Sequence, residues 1–111
     1  MRPRPAAAKS ARPTCTEIKS DPNFVQSDSA IATLLDAALS NAARAAIPPG
    51  ANTATIQFTV HDLEPGRGAL IAEGHAIRAG AGVVTAQAHA RDASGLLVAQ
   101  ALGTLRVLRP R

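Results

Sequence analysis

One carboxylate stands in an otherwise apolar run: Asp36 is the sole acid between Ala30 and Ala51, set among Ala and Leu. If the run is helical, three- and four-residue spacing gathers Thr33, Asp36 and Ser40 on one face, with Arg44 a turn further on. A carboxylate so placed could act as general base or nucleophile in a partly dry pocket, with the hydroxyls orienting water or substrate. Periodicity alone favours a plainer alternative, in which these four residues are the solvent stripe of a mostly buried helix. The histidines His61, His75 and His89 are far apart in sequence. A hairpin turning near Gly80–Ala81 sets His75 opposite a residue near Ala86 and His89 opposite one near Ala72. They then fail to converge, no acid or cysteine ligand is adjacent, and no metal site is expected. No phosphate loop or serine elbow is present, and the glycines read as turn glycines.

The elements that must position these residues are legible in outline. Ala30–Ile47 is rich in Ala and Leu, lacks Gly and Pro, and ends against Pro48-Pro49-Gly50. Ser27, Asp28 and Ser29 offer N-caps before it, and Arg44 suits the negative end of the dipole, so a helix is expected. The period then switches to two: Ala54, Ile56, Phe58 and Val60 alternate with polar residues, as in a strand with one buried face. Ala69–Arg78, Val83–Arg91 and Leu96–Leu108 read as three more strands, separated by Ala79-Gly80-Ala81-Gly82 and Asp92-Ala93-Ser94-Gly95. A helix followed by an antiparallel meander predicts an α+β fold of helix on sheet. Residues 1–28 read as a basic, Pro/Ala-rich irregular segment in which Thr14–Lys19 offers at best one short strand. The folded domain is expected over residues 29–109.

Composition narrows the partners. At 111 residues the chain is one domain. A domain of this size buries only about two-thirds of its unfolded surface, so a partner subunit would add stability. Two Phe with no Trp or Tyr leave little for stacking bases. The formal charge of +4 is carried by Arg2, Arg4, Lys9 and Arg12, while the remainder balances eight basic against eight acidic side chains. That distribution is a solvated basic end rather than a nucleic-acid surface. The lone Cys15 fits a reducing compartment, and neither a membrane span nor a signal peptide is evident, so a cytoplasmic protein without membrane contact is expected.

Four segments in order resemble the hotdog-fold acyl-CoA thioesterases of the phenylacetate-pathway (PaaI) type. They are Ala30–Ala43, Thr53–Pro65 ending Asp-Leu-Glu-Pro, Leu70–Gly80 ending Ile-Arg-Ala-Gly, and Arg91–Thr104 beginning Arg-Asp-Ala-Ser-Gly-Leu-Leu-Val-Ala. The resemblance spans residues 30–108. It implies a long central helix wrapped by a curved antiparallel sheet, with four clear strands here and the first strand missing or unclear. It also implies a homodimer or tetramer whose subunits pair sheets edge to edge and build thioester sites across the interface. Carried over, the helix acid is Asp36 and the water-placing hydroxyl of the next strand is Thr55; Ser40, which helix spacing sets beside Asp36, would be a substrate-side hydroxyl. The helix-start N–H that polarises the carbonyl falls at Asp28 or Ser29, and contact with coenzyme A falls at Arg78 and Gly80 in the strand-end turn. The implied activity is hydrolysis of a small aryl or acyl thioester to a carboxylate and free CoA, with no cofactor.

The sequence departs from that family at the helix start. Without gaps, the family's His-Gly-Gly falls on Ser27-Asp28-Ser29. A backbone donor survives such a change, but glycine's close approach does not, and a carboxylate there opposes a developing oxyanion. The basic residue often found after the Arg-Ala-Gly turn is Ala81 here. Two further readings therefore stand beside the enzyme. One is a non-catalytic hotdog domain that binds acyl-CoA or only dimerises; the other is a thioesterase with a mis-assigned start, which an upstream His-Gly-Gly in another frame would support.

Overall fold

The computed structural model describes residues 13–108. The basic cluster of the first twelve residues lies outside them. In chain order the elements are β1 (Thr14–Ile18), α1 (Asp28–Ala45), β2 (Asn52–Asp62), β3 (Leu70–Ala79), β4 (Val83–Asp92) and β5 (Leu97–Leu108). The strands form one antiparallel sheet in the order β1-β3-β4-β5-β2, with α1 packed on one face. This is the α+β hotdog architecture that the sequence implied. Among the described residues no helix is long and apolar enough to cross a membrane.

Helix α1 begins where the cap residues placed it. Ser27 is extended (φ −73°, ψ 158°) and its hydroxyl oxygen accepts from Ala30 N at 3.1 Å. Pro48 and Pro49 follow the C-cap at Ala46 and forbid continuation. Ile31, Leu34, Leu35, Ala38, Leu39, Ala42 and Ala43 are buried against the sheet, leaving the opposite stripe uncovered. Leu35 and Leu39 are wholly enclosed, each side chain contributing about 1.5–3 kcal/mol by leaving water.

Small residues let the helix come close. The helix-facing surface of the sheet is paved with Ala72, Ala86, Ala88, Ala90, Ala99 and Ala101, all buried. Where α1 approaches most tightly the floor is Gly74, whose hypothetical Cβ would stand 2.4 Å from the Ala38 carbonyl oxygen. The alanine-rich composition is thus a packing device, trading side-chain bulk for backbone proximity.

The first strand, unclear in the sequence, is β1. It pairs along the outer edge of β3, from Thr14 opposite Gly74 to Ile18 opposite Leu70. Asn41 of α1 steadies it by donating to Thr16 Oγ1 at 3.1 Å. The crossing from β1 to α1 is pinned by Gln26, 7% exposed, whose Nε2 donates to Ser20 Oγ and to the Gly68 carbonyl. At the far edge of the sheet, β2 pairs among the described residues with β5 alone, so its other side is an open edge there.

Two bulges change what the alternation implied. In β2 the register shifts between Thr55 and Gln57, leaving Ile56 without a partner on β5. Phe58 and Val60 face the core as expected, but upstream of the bulge the phase reverses. Thr53 and Thr55 stand opposite buried Val107 and Leu105, whereas Ala54 and Ile56 are exposed. In β3 a second shift falls between Ala76 and Arg78. The hairpin turns about Ala81–Gly82, with Ala79 opposite Val84, and the bulge takes back one position, so His75 lies opposite Gln87 and His89 opposite Glu73, one residue from the positions that a turn at Gly80–Ala81 suggested.

Candidate active site

The β2 bulge has a direct chemical result. With the strand's phase reversed, Thr55 points to the helix side of the sheet and its hydroxyl donates to Asp36 Oδ1 at 3.1 Å. The helix supplies the carboxylate, half-buried at mid-length, and the edge strand supplies the hydroxyl. Of the residues singled out in the sequence, these two are brought together. Ser40 lies one helical turn beyond Asp36 and is half-buried on the same flank.

The others are placed elsewhere. Thr33 is exposed, and its hydroxyl donates to the Ser29 carbonyl within its own helix at 2.8 Å. Arg44 is exposed and donates to Asn41 Oδ1, which turns it toward the β1 side. Asp28 and Ser29 are both exposed at the start of the helix. Arg78, at the end of β3, and Gly80, in the β3–β4 turn, sit at the opposite end of the helix from its start; Gly80 N donates to Val83 O and the nearby Gly82 carbonyl accepts from Val107 N. Within one chain the helix-start residues and the Arg78–Gly80 turn are therefore held apart by the helix, about 27 Å long at 18 residues.

Around the helix start the structure adds what the sequence reading lacked. A hollow of about 330 Å³ there is lined by Asp28, Asp62, Glu64, Ile31 and Gly66, together with the buried Gln26. Three carboxylates thus share the mouth at which the helix dipole is positive. Asp62 ends β2 and Glu64 follows it in the Asp-Leu-Glu-Pro segment, and only tertiary folding carries them to the helix. A second hollow, about 500 Å³ and largely apolar, lies between α1 and β1 along Ile18, Ala30, Thr33, Leu34 and Ala37.

The histidines lie away from α1. His61 and His89 flank Gln100 in register on the outer face, and His75 approaches Glu73 at 3.5 Å. Among the described residues no three His, Cys, Asp or Glu side chains are grouped to hold a metal ion.

No protein-family model matches the chain. A curated protein of Halobacterium salinarum, named provisionally as an esterase, is 41% identical over 86 residues, covering 70% of this chain. The chain spans little more than half of that relative, 57% of its length. Among solved structures, a Bacillus halodurans protein determined with CoA is 25% identical, with a TM-score of 0.76, covering 89% of this chain and 68% of its own. A Ralstonia eutropha protein described as phenylacetic acid degradation-related, and provisionally as a thioesterase, is 19% identical with a TM-score of 0.74, covering 89% of this chain and 77% of its own. A Haemophilus influenzae thioesterase superposes with a TM-score of 0.75 at 18% identity, covering 87% and 71%. The chain has the hotdog fold, and many of the solved structures it resembles are described as thioesterases, one of them as phenylacetic acid degradation-related.

Proposed function

We propose that this chain is one subunit of a thioesterase that hydrolyses an acyl-CoA thioester to a carboxylic acid and free coenzyme A. The observation that carries the reading is the hydrogen bond from Thr55 to Asp36 across the α1–β2 seam, 3.1 Å long. It fixes the orientation of the one acid in the body of the helix and leaves its second oxygen available. In the reaction Asp36 takes a proton from water while that water's oxygen bonds to the thioester carbonyl carbon. Collapse of the tetrahedral intermediate breaks the C–S bond, and the departing sulfur takes up a proton. The Bacillus halodurans structure held CoA, which supports a CoA derivative as the substrate.

Geometry makes this site composite. The carbonyl oxygen needs a donor about 3 Å away while its carbon stands beside Asp36. The N–H of Ser29 is seven residues from Asp36, about 10 Å along the helix axis, so one chain cannot supply both. A second subunit paired along the free edge of β2 would bring its own helix start to the first subunit's Asp36. A homodimer is accordingly part of the proposal, with Asp28 or Ser29 as the partner's donor position.

The carboxylates at the helix start favour a second reading. Asp28, Asp62 and Glu64 line the hollow where an oxyanion would form, and negative charge there opposes catalysis. On this reading the chain is a non-catalytic hotdog domain that binds acyl-CoA or only dimerises. Thiol release from a panel of aryl and aliphatic acyl-CoA esters separates the two, with an enzyme-only blank because Cys15 is exposed. Turnover that falls at least a hundredfold in Asp36→Asn supports the enzyme; no turnover from a folded dimer leaves the binding domain.

A further inference from the structure

The face of the sheet away from α1 carries a hollow of its own. His89 of β4 and His61 of β2 both stand opposite Gln100 of β5, and in the next row Gln87 and Thr59 both stand opposite Leu102. Ala99 and Ala101, which alternate with Gln100 and Leu102, are buried toward the helix, so the two rows share the outer face. Together they line a space of about 380 Å³, a trough over β5 with one imidazole on each wall. That is within the range of small-molecule pockets, roughly 300–1,000 Å³.

The polar groups of the trough are uncommitted. The side chains of His61, His89, Gln87 and Gln100 make no hydrogen bond to another described residue, and the Thr59 hydroxyl only accepts, from Gln57 Nε2 at 3.4 Å. Among the described residues no acid lines the trough. Asp62, the neighbour of His61 in the chain, lines the hollow at the helix start instead. Glu73, opposite His89 on β3, stands 3.5 Å from His75 Nε2.

Spacing decides what could bridge the walls. His61 and His89 are two strand intervals apart, about 9.6 Å between β-carbons. A single metal ion holds two ring nitrogens within about 4 Å of each other, so each would lean inward by nearly 3 Å. An oxyanion accepting a bond of about 2.8 Å from each side spans about 7–8 Å, which asks for about 1 Å from each ring. Either imidazole can donate an N–H, neutral or charged, and the Gln100 carboxamide offers another from the floor between them. One row along, Leu102 is 53% exposed and presents an apolar surface in the same trough.

We propose that this trough binds a small organic carboxylate. Its oxygens accept from His61, His89 and Gln100, and its apolar body lies along Leu102. The site is on the opposite face of the sheet from Asp36, so it does not rest on thioester hydrolysis.

The test is a titration of the full chain with hexanoate, benzoate, acetate and inorganic phosphate, followed by NMR of the histidine Cε1–H signals. His75, on the same face but outside the trough, is the internal reference. Hexanoate or benzoate should move His61 and His89 together, with a single dissociation constant of about 1 mM, and leave His75 in place. Acetate, which lacks the body, should bind about tenfold more weakly. His61→Ala or His89→Ala should each weaken hexanoate binding about tenfold. Three results overturn the proposal: no movement of His61 and His89 at tens of millimolar carboxylate, equal movement of all three histidines, or phosphate or acetate binding as tightly as hexanoate. A fourth is a His61→Ala protein that sediments as a smaller species while the wild type ignores carboxylates, which assigns the trough to a second copy of the chain.

Discussion

Replacing Gly74 with alanine should damage stability and the Asp36–Thr55 pair together. A Cβ at Gly74 would meet the Ala38 carbonyl oxygen at 2.4 Å, the Ala38 carbonyl carbon at 3.0 Å and the Ala42 Cβ at 3.2 Å. A carbon–oxygen contact settles near about 3.3 Å, so helix and sheet must part by about 1 Å. None of the three obstructing atoms can rotate away, since two are backbone and the third is fixed to it. Overpacking costs about 1–3 kcal/mol, and a rigid obstruction belongs at the upper end of that range. For a domain of this size that lowers Tm by roughly 10–20 °C. Ala38 is two residues beyond Asp36, so lifting the helix there stretches the 3.1 Å bond to Thr55 toward about 4 Å, past the limit of a hydrogen bond. Thermal denaturation by circular dichroism reads the first effect and kcat for thioester hydrolysis reads the second. Gly82→Ala is the control, because a Cβ there meets nothing within 4 Å. A Gly74→Ala protein melting within 2 °C of wild type would refute the claim that backbone proximity between α1 and β3 is what the small residues provide.

Two other expectations concern the rim of the sheet. Asp92 accepts from Ser94 Oγ, Ser94 N and Leu96 N, and its pKa is lowered below 3.8, with the Ser94 hydroxyl as the largest cause. Folding thus depresses this pKa: the ionised carboxylate favours the folded state above its unfolded value, and that contribution is lost as pH falls through the folded one. An NMR titration of Ser94→Ala should find Asp92 moved upward toward 3.8; an unchanged midpoint would mean that the backbone donors alone hold it down. Ile56, 58% exposed at the bulge of β2, offers an apolar side chain on the edge strand. Ile56→Asp should leave the subunit's melting behaviour almost unchanged but shift sedimentation from dimer to monomer, since the charge enters an edge-to-edge pairing. A dimer that persists with equal affinity places the interface away from β2.

What could be read from the chain divides along the range of the forces involved. Ser27–Ser29 announced the helix start because capping is satisfied within three residues, and Ser27 is the cap. The four long strands were visible through turn chemistry at Asp92–Gly95 and Gly80–Gly82, again local. Strand β1 was nearly invisible, because of its five residues only Cys15 and Ile18 are apolar, and pairing with distant β3 decides its state. The β2 bulge was misread for a related reason. Ile56 is apolar and fits the alternation Ala54-Ile56-Phe58-Val60, yet the neighbouring strand skips it, and nothing in the local residue types marks the skip. Asp36 stood out as a charge in an apolar helix. Thr55 emerged only through family resemblance.

The helix start and the helix middle pull the function in opposite directions, and magnitudes show how far. A carboxylate about 6 Å from a forming oxyanion, at an effective dielectric near 20, raises the barrier by about 3 kcal/mol, roughly a hundredfold in rate. The positive end of the helix offsets about 0.3–1 kcal/mol of this at an exposed terminus, and water screens the remainder further because Asp28, Asp62 and Glu64 are exposed. Closing a second subunit over that mouth would remove the screening and enlarge the penalty of any acid left ionised. The same closure is what unites an oxyanion donor with Asp36 at all. Burial of the Asp28, Asp62 and Glu64 hollow on dimerisation is therefore the point at which the two readings part. An interface that leaves these carboxylates in water permits a slow enzyme built on Asp36, and one that encloses them yields a binding domain with an idle acid.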